Sequence, residues 1–140
     1  MVFIDTDLAV CFLSSKKSSL NDQAKTIMNQ LFEENSVIKL TIFNFAELYR
    51  GAFISSQVAH NLRIIEEFAN RFSIIPFLNN DAIIYSKIYA ELKQRGELIG
   101  DFDELIASIV ISNDDTLYTR NIDHFRRIKL LKFENWEEKS

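Results

Sequence analysis

The sequence predicts an α/β domain, a central and mainly parallel sheet of four or five strands with helices on both faces. Short β-branched runs alternate with longer stretches whose apolar residues recur at i, i+3 and i+4, the pattern of strand–helix–strand crossovers. Three Gly and one Pro in 140 residues leave few places for tight hairpin turns. The opening apolar run, Val2-Phe3-Ile4, is continuous rather than alternating, as in a strand buried on both faces. A chain of this length is expected to form one domain, residues 1–140, with a sizeable core.

The first strand, Val2–Ile4, runs directly into Asp5 and Asp7, with a short helical turn over Leu8–Leu13. Asp7 reads either as a functional acid or as the cap of that turn. Ser14–Ser18 is a loop, and Ser19 with Asp22 resembles a helix start. Ala24, Ile27, Met28, Leu31 and Phe32 then mark one helical face to about Glu34. Asn35-Ser36 breaks it, and Val37–Ile42 is a second strand. Helical spacing resumes from Asn44 through Phe45, Leu48, Tyr49 and Ala52, and again from Val58 to about Phe72. Ser73–Phe77 is a short strand whose Pro76 suits an edge or an end. Asn79-Asn80-Asp81 caps a long helix that stops near Gly96, and Gly100-Asp101 opens another over Phe102–Ser112. Thr116–Thr119 and Lys129–Phe133 are the last strands.

Composition narrows the function. A hydrophobic share of 47% and a charged share of 26% are ordinary for a soluble globular protein. The single Cys11, flanked by Val10, Phe12 and Leu13, excludes an intramolecular disulfide and a Cys-based zinc site and reads as a small buried hydrophobe. Acids stand where the basic start of a signal peptide would be, and no apolar run is long enough to span a membrane; the expected compartment is the cytoplasm. A net charge of −4 argues against holding nucleic acid by diffuse attraction. Handling a polyphosphate would require a local basic patch or bound metal ions.

Four joints between a strand or loop and the following helix carry acids or amides: Asp5/Asp7, Glu47, Asp101/Asp103 and Asn121/Asp123. In a parallel sheet such joints fall on one side, so these groups converge in space. Carboxylates gathered this way repel one another, and a hard cation such as Mg²⁺ or Mn²⁺ relieves them. Sites of this kind hydrolyse phosphodiesters. Structural roles compete for several of these residues. Asn44…Glu47 fits a capping box, which would make Glu47 a helix-start device. Asp101…Glu104 fits another, leaving Asp103 as the functional acid. Asp114-Asp115 reads as turn chemistry. His60 and His124 have no ligand spacing or nucleophile partner and are not expected to act.

Four segments in order resemble the PIN-domain ribonucleases, and more narrowly the VapC-type toxins of toxin–antitoxin pairs. They are Phe3-Ile4-Asp5-Thr6-Asp7, Ala46-Glu47-Leu48-Tyr49-Arg50-Gly51, Ile99-Gly100-Asp101-Phe102-Asp103-Glu104-Leu105-Ile106-Ala107 and Leu117-Tyr118-Thr119-Arg120-Asn121-Ile122-Asp123-His124-Phe125. The closing Leu131-Lys132-Phe133-Glu134-Asn135-Trp136 is similar as well. The resemblance implies a PIN-like three-layer α/β/α sandwich and an endoribonuclease dependent on Mg²⁺ or Mn²⁺. It implies that Asp5, Glu47 and Asp103 are the catalytic, metal-binding acids, with Thr6 and Thr119 supporting the site. The fourth family position falls on Asn121, a neutral and therefore weaker ligand; Asp7 and Asp123 are further candidates that would add back charge. Arg50 and Arg120 are the expected substrate-binding residues, with Arg126 and Arg127 as further cations. RNA is the implied substrate, and a cognate antitoxin protein would silence the enzyme by inserting a cation. Twelve Phe, with the family's habit of pairing, imply a homodimer.

Two alternatives make different demands. A haloacid-dehalogenase-like phosphatase would use Asp5 as nucleophile and Asp114-Asp115 as its final acidic pair. A non-catalytic PIN-like binding scaffold would leave the acids apart or permanently filled by a basic side chain.

Overall fold

The computed structural model describes residues 1–137. Its elements in chain order are β1 (Val2–Ile4), α1 (Thr6–Leu13), α2 (Ser19–Glu34), β2 (Ile38–Thr41), α3 (Ile42–Phe53) and α4 (Val58–Ala69). They continue through β3 (Ser73–Ile75), α5 (Asn79–Arg95), α6 (Asp101–Ser112), β4 (Thr116–Thr119), α7 (Ile122–Phe125) and β5 (Lys132–Asn135). The strands form one sheet in the order β3-β2-β1-β4-β5, with every neighbouring pair parallel. No helix among the described residues is long and apolar enough to cross a membrane.

Alternation along the strands separates two cores. Val2, Ile4, Ile38 and Leu40 point to one face, where they pack with Leu8, Met28, Leu31, Leu48 and Phe68 from α1 to α4. Phe3 and Leu117 point to the other, against Leu92, Ile106, Ile109 and Phe125 from α5 to α7. The result is the expected three-layer α/β/α sandwich. Phe3, Ile4 and Leu117 are fully buried, as strands covered on both faces require.

Topology fixes the functional edge. From β1 the chain crosses to β2 and β3 on one side, then returns to β4 and β5 on the other. The switch point therefore lies between the C-terminal ends of β1 and β4, where open α/β sheets place their ligands. Asp5 follows β1 at that crevice, its N–H bonded to the Tyr118 carbonyl of β4 at 2.9 Å.

Several boundaries differ from expectation for local reasons. The last strand is Lys132–Asn135 rather than Lys129–Phe133. Ile128 and Leu131 are buried as loop anchors, so their apolar character does not mark a strand. Ser18 rather than Ser19 caps α2, its hydroxyl accepting the Asn21 N–H at 3.0 Å. At α5, Asp81 reaches back to accept the Leu78 N–H at 2.9 Å. Gly96 ends that helix in the left-handed conformation, φ 68°, which glycine adopts without strain.

Candidate functional site

Asp5 is the N-cap of α1, and the same carboxylate is the hub of the switch-point crevice. Its Oδ1 accepts the Thr6 N–H at 2.9 Å and the Asn44 amide at 3.0 Å. Its Oδ2 accepts the Thr119 hydroxyl at 2.6 Å. With Asp5 in the cap position, Asp7 has no capping role. It lies one residue inside α1 and binds Arg120 Nε at 2.6 Å.

Glu47 joins through Thr6, whose hydroxyl donates to Glu47 Oε1 at 2.7 Å and accepts the Asn44 amide at 2.9 Å. The capping box expected of Asn44 and Glu47 is not formed, because α3 begins earlier. Thr41 is its N-cap, accepting the Asn44 N–H at 3.1 Å and donating to Asn44 Oδ1 at 2.7 Å. That reciprocal pair locks a fully buried Asn44 amide with its nitrogen aimed at Asp5 and Thr6, and it frees Glu47 from the helix start.

Asp103 is joined from the β4 side. Thr119 Oγ1 accepts the Asn121 N–H at 3.0 Å, and the Asn121 amide nitrogen donates to Asp103 Oδ2 at 3.0 Å. His124 Nδ1 lies 2.8 Å from the same oxygen. Asn121 thus presents its nitrogen to Asp103, and ligation by its oxygen would need the amide to turn over. Asp101 does not cap α6. Gly100 holds that position at φ 104°, and Asp101 accepts the Tyr85 hydroxyl at 3.1 Å. Glu104, expected in solvent or in a box, is fully buried and accepts the Ile99 N–H at 3.2 Å.

One hydrogen-bonded network therefore joins Asp5, Glu47 and Asp103 through Thr6, Asn44, Thr119 and Asn121. The other candidates lie at its rim or outside it. Asp123 is exposed and 3.7 Å from Arg126. Arg50 is 3.6 Å from Glu47 and stacks over Phe102 at 5.4 Å. Arg120 holds Asp7, approaches Glu137 at 3.6 Å and lies over Trp136 at 5.4 Å. His60 is exposed on α4. Asn44 and His124 are the participants that sequence reasoning missed. Asn44 sits one turn before Glu47 on the same helix face, a signal that the capping pattern hid. His124 sits three residues after Asn121, at helical spacing.

Burial pushes the Asp5 carboxyl up to about 6, with the charges of Asp7 and Asp103 adding to the rise; the Thr119 hydroxyl and Thr6 N–H oppose it. Burial and the acidic neighbours thus disfavour the ionised Asp5 more than its neutral donors favour it. The lining of the crevice offers carboxylate and hydroxyl oxygens without a thiolate, a set that suits a hard divalent cation. As placed, no three acids, imidazoles or thiols among the described residues already form a metal-holding group. Neutral Thr and Asn donors bind oxygens of Asp5, Glu47 and Asp103.

The phosphatase alternative meets an obstacle here. Asp115 pairs with Lys39 at 2.6 Å and with the amino terminus at 3.4 Å, at the N-terminal edge of the sheet, so it cannot complete a phosphatase site. Among the described residues the hydrogen-bond donors to Asp5 are neutral, so none of their basic side chains plugs the hub.

A parallel α/β/α sandwich with linked carboxylates at its switch point defines an acid-pocket α/β domain. The PIN domain family matches residues 2–131, and the chain belongs to it. It is similar to Ribonuclease VapC2 of Rickettsia felis, 32% identical over 96% of this chain and 97% of that protein. It is also similar to the tRNA(fMet)-specific endonuclease VapC of Shigella flexneri, 27% identical over 95% and 96% of the two chains. Among solved structures, VapBC2 from Rickettsia felis bound to a DNA fragment from its promoter superposes with a TM-score of 0.86 at 31% identity, covering 98% of this chain and 100% of that one.

Proposed function

We propose that this chain is a divalent-metal-dependent endoribonuclease and the toxin of a toxin–antitoxin pair. The observation that carries the proposal is the network joining Asp5, Glu47 and Asp103, from three different elements, at the switch point. Membership of the PIN family and similarity to VapC ribonucleases support the reaction class.

In this reading Asp5, Glu47 and Asp103 hold Mg²⁺ or Mn²⁺, and Asn121 is a weaker ligand once its amide turns. A cation held by these carboxylates would supply charge neutralisation of the phosphodiester and a more acidic water. Thr6 and Thr119 orient the carboxylates, as their bonds to Glu47 and Asp5 do now. Asn44 holds Asp5 and Thr6 in register from the core. Asp7 remains with Arg120, which fixes the guanidinium at the mouth of the site. Asp123, exposed on the rim, has no ligating role. A protein antitoxin would silence the enzyme by offering a guanidinium to two carboxylates in place of the metal.

The test is incubation of the purified chain with structured RNAs in Mg²⁺, Mn²⁺ or EDTA, beside Asp103→Asn. Cleavage that needs the metal and disappears in the variant supports the reading. Equal cleavage in EDTA, or by the variant, refutes it.

A further inference from the structure

A second polar pocket of about 440 Å³ is lined by Arg95, Gly96, Glu97, Arg126, Arg127 and Lys129. It is built by two loops. One leads from α5 to Gly100, the cap of the helix that carries Asp103. The other begins two residues beyond His124, which contacts Asp103. The pocket therefore lies on the loops that lead into α6, which carries Asp103, and out of α7, which carries His124.

Arg127 and Lys129 have no carboxylate partner among the described residues, whereas Arg50 and Arg120 at the mouth of the site both do. Arg120 is bound to a carboxylate at 2.6 Å. Arg95 and Arg127 instead donate to backbone carbonyls, Arg95 Nη2 to Arg127 O at 2.7 Å and Arg127 Nη1 to Glu97 O at 3.2 Å. A carbonyl bond fixes a guanidinium without neutralising it. The nearest carboxylates are Glu97, 3.5 Å from Arg95, and Asp123, 3.7 Å from Arg126. Four cations thus face two acids, a local excess of positive charge in a chain of net charge −4. Guanidinium forks held in place match the oxygens of a phosphate diester.

We propose that this pocket is a phosphate-binding subsite that grips the RNA backbone. The inference rests on the reading of the chain as a ribonuclease and adds the surface that offsets its acidity. RNA approaching a carboxylate cluster is repelled, and Arg95, Arg126, Arg127 and Lys129 supply the compensating attraction.

The test is fluorescence anisotropy of a labelled single-stranded RNA with the full chain in EDTA, titrated over a range of salt. The variant is Arg126→Glu with Lys129→Glu, two exposed positions whose loop is held by Arg95 and Arg127. Its control is Lys16→Glu with Lys17→Glu, the same charge change on the exposed loop before α2. The pocket variant is expected to bind on the order of tenfold more weakly, with a salt slope lower by about 1.4, roughly 0.7 for each lost phosphate contact. The control should lose far less. Equal losses in the two variants would show diffuse charge rather than a subsite and overturn the proposal. Unchanged affinity in the pocket variant would also overturn it and leave the cluster to another partner, such as an acidic protein segment. Because binding is read without cleavage, an inactive wild-type enzyme in Mg²⁺ would defeat the ribonuclease reading separately.

Discussion

Asp5 sets a conflict between stability and function at a single carboxyl. Its ordinary value of 3.8 is raised to about 6 in the folded chain. A raised carboxyl favours folding while protonated, so its contribution is fully present below pH 3.8 and is lost as pH rises through about 6. The difference between 3.8 and about 6 corresponds to about 3 kcal/mol. In EDTA, the unfolding free energy of wild type relative to Asp5→Asn should fall by about that amount between pH 3 and 7. Parallel pH curves for the two proteins would show that Asp5 carries no such penalty. Divalent metal should reverse the trend, because a cation binds the ionised form. Asn121 gives a second test. On the proposed ligand set a neutral amide makes Asn121 the weakest position, so Asn121→Asp should lower the Mg²⁺ concentration needed for half-maximal cleavage. His124 would then face two carboxylates, which does not alter the direction. An identical metal titration would remove Asn121 from the ligand set.

At the scale of elements, α3 is the piece on which the site depends. Thr41 caps it, and Asn44 turns inward to reach Asp5 and Thr6 from 39 and 38 residues away in sequence. Asn44→Ala removes those donors and strands the Thr41 hydroxyl, so it should cost about 1–3 kcal/mol in urea unfolding. It should also lower cleavage more than that loss of folded protein explains, because Asp5 and Thr6 lose their shared anchor. A stability change within ±0.5 kcal/mol, the range of ordinary surface substitutions, would show that Asn44 is not the anchor. The alternation of strands and helices was legible because periodicity is a local signal, and Val2–Ile4 running into Asp5 was legible for the same reason. Asn44 was not. Its sequence context offered a capping pattern that fits Glu47 equally well, and only the start of α3 at Ile42 decides between them. His124 was hidden because its partner is Asp103, 21 residues earlier and on a different helix. Glu104 misled in the opposite direction, since an acid in a first helical turn usually faces water. Here burial pushes its carboxyl up, and its Oε1 has no hydrogen-bond partner among the described residues.

For the whole molecule, the apolar surface is distributed unevenly. Val10 and Leu13 line an apolar groove with Leu48, Ala52 and Ile65, and Glu47 stands at its wall. Phe53 and Ile54 are exposed at the end of α3, and Leu78 and Ile83 around the start of α5. Exposed apolar side chains on several helices suit a chain that works in an assembly. Light scattering at micromolar concentration should give a homodimer mass, and a monomer would remove pairing from the account. Control in the cell follows from the charge of the site. The donors to Asp5 are neutral, so the hub is open to any cation that can enter, whether a metal or a guanidinium from another protein. Expression of the chain alone should therefore arrest growth through RNA cleavage. Asp103→Ala should relieve the arrest, provided circular dichroism shows that α6 still folds. Co-expression of a partner that carries an arginine into the cluster should relieve it as well, and changing that arginine to alanine should restore toxicity without preventing the two proteins from associating. If Asp103→Ala remains as toxic as the parent, the carboxylates are not the engine of the arrest, and the hydrolytic role of the network is lost.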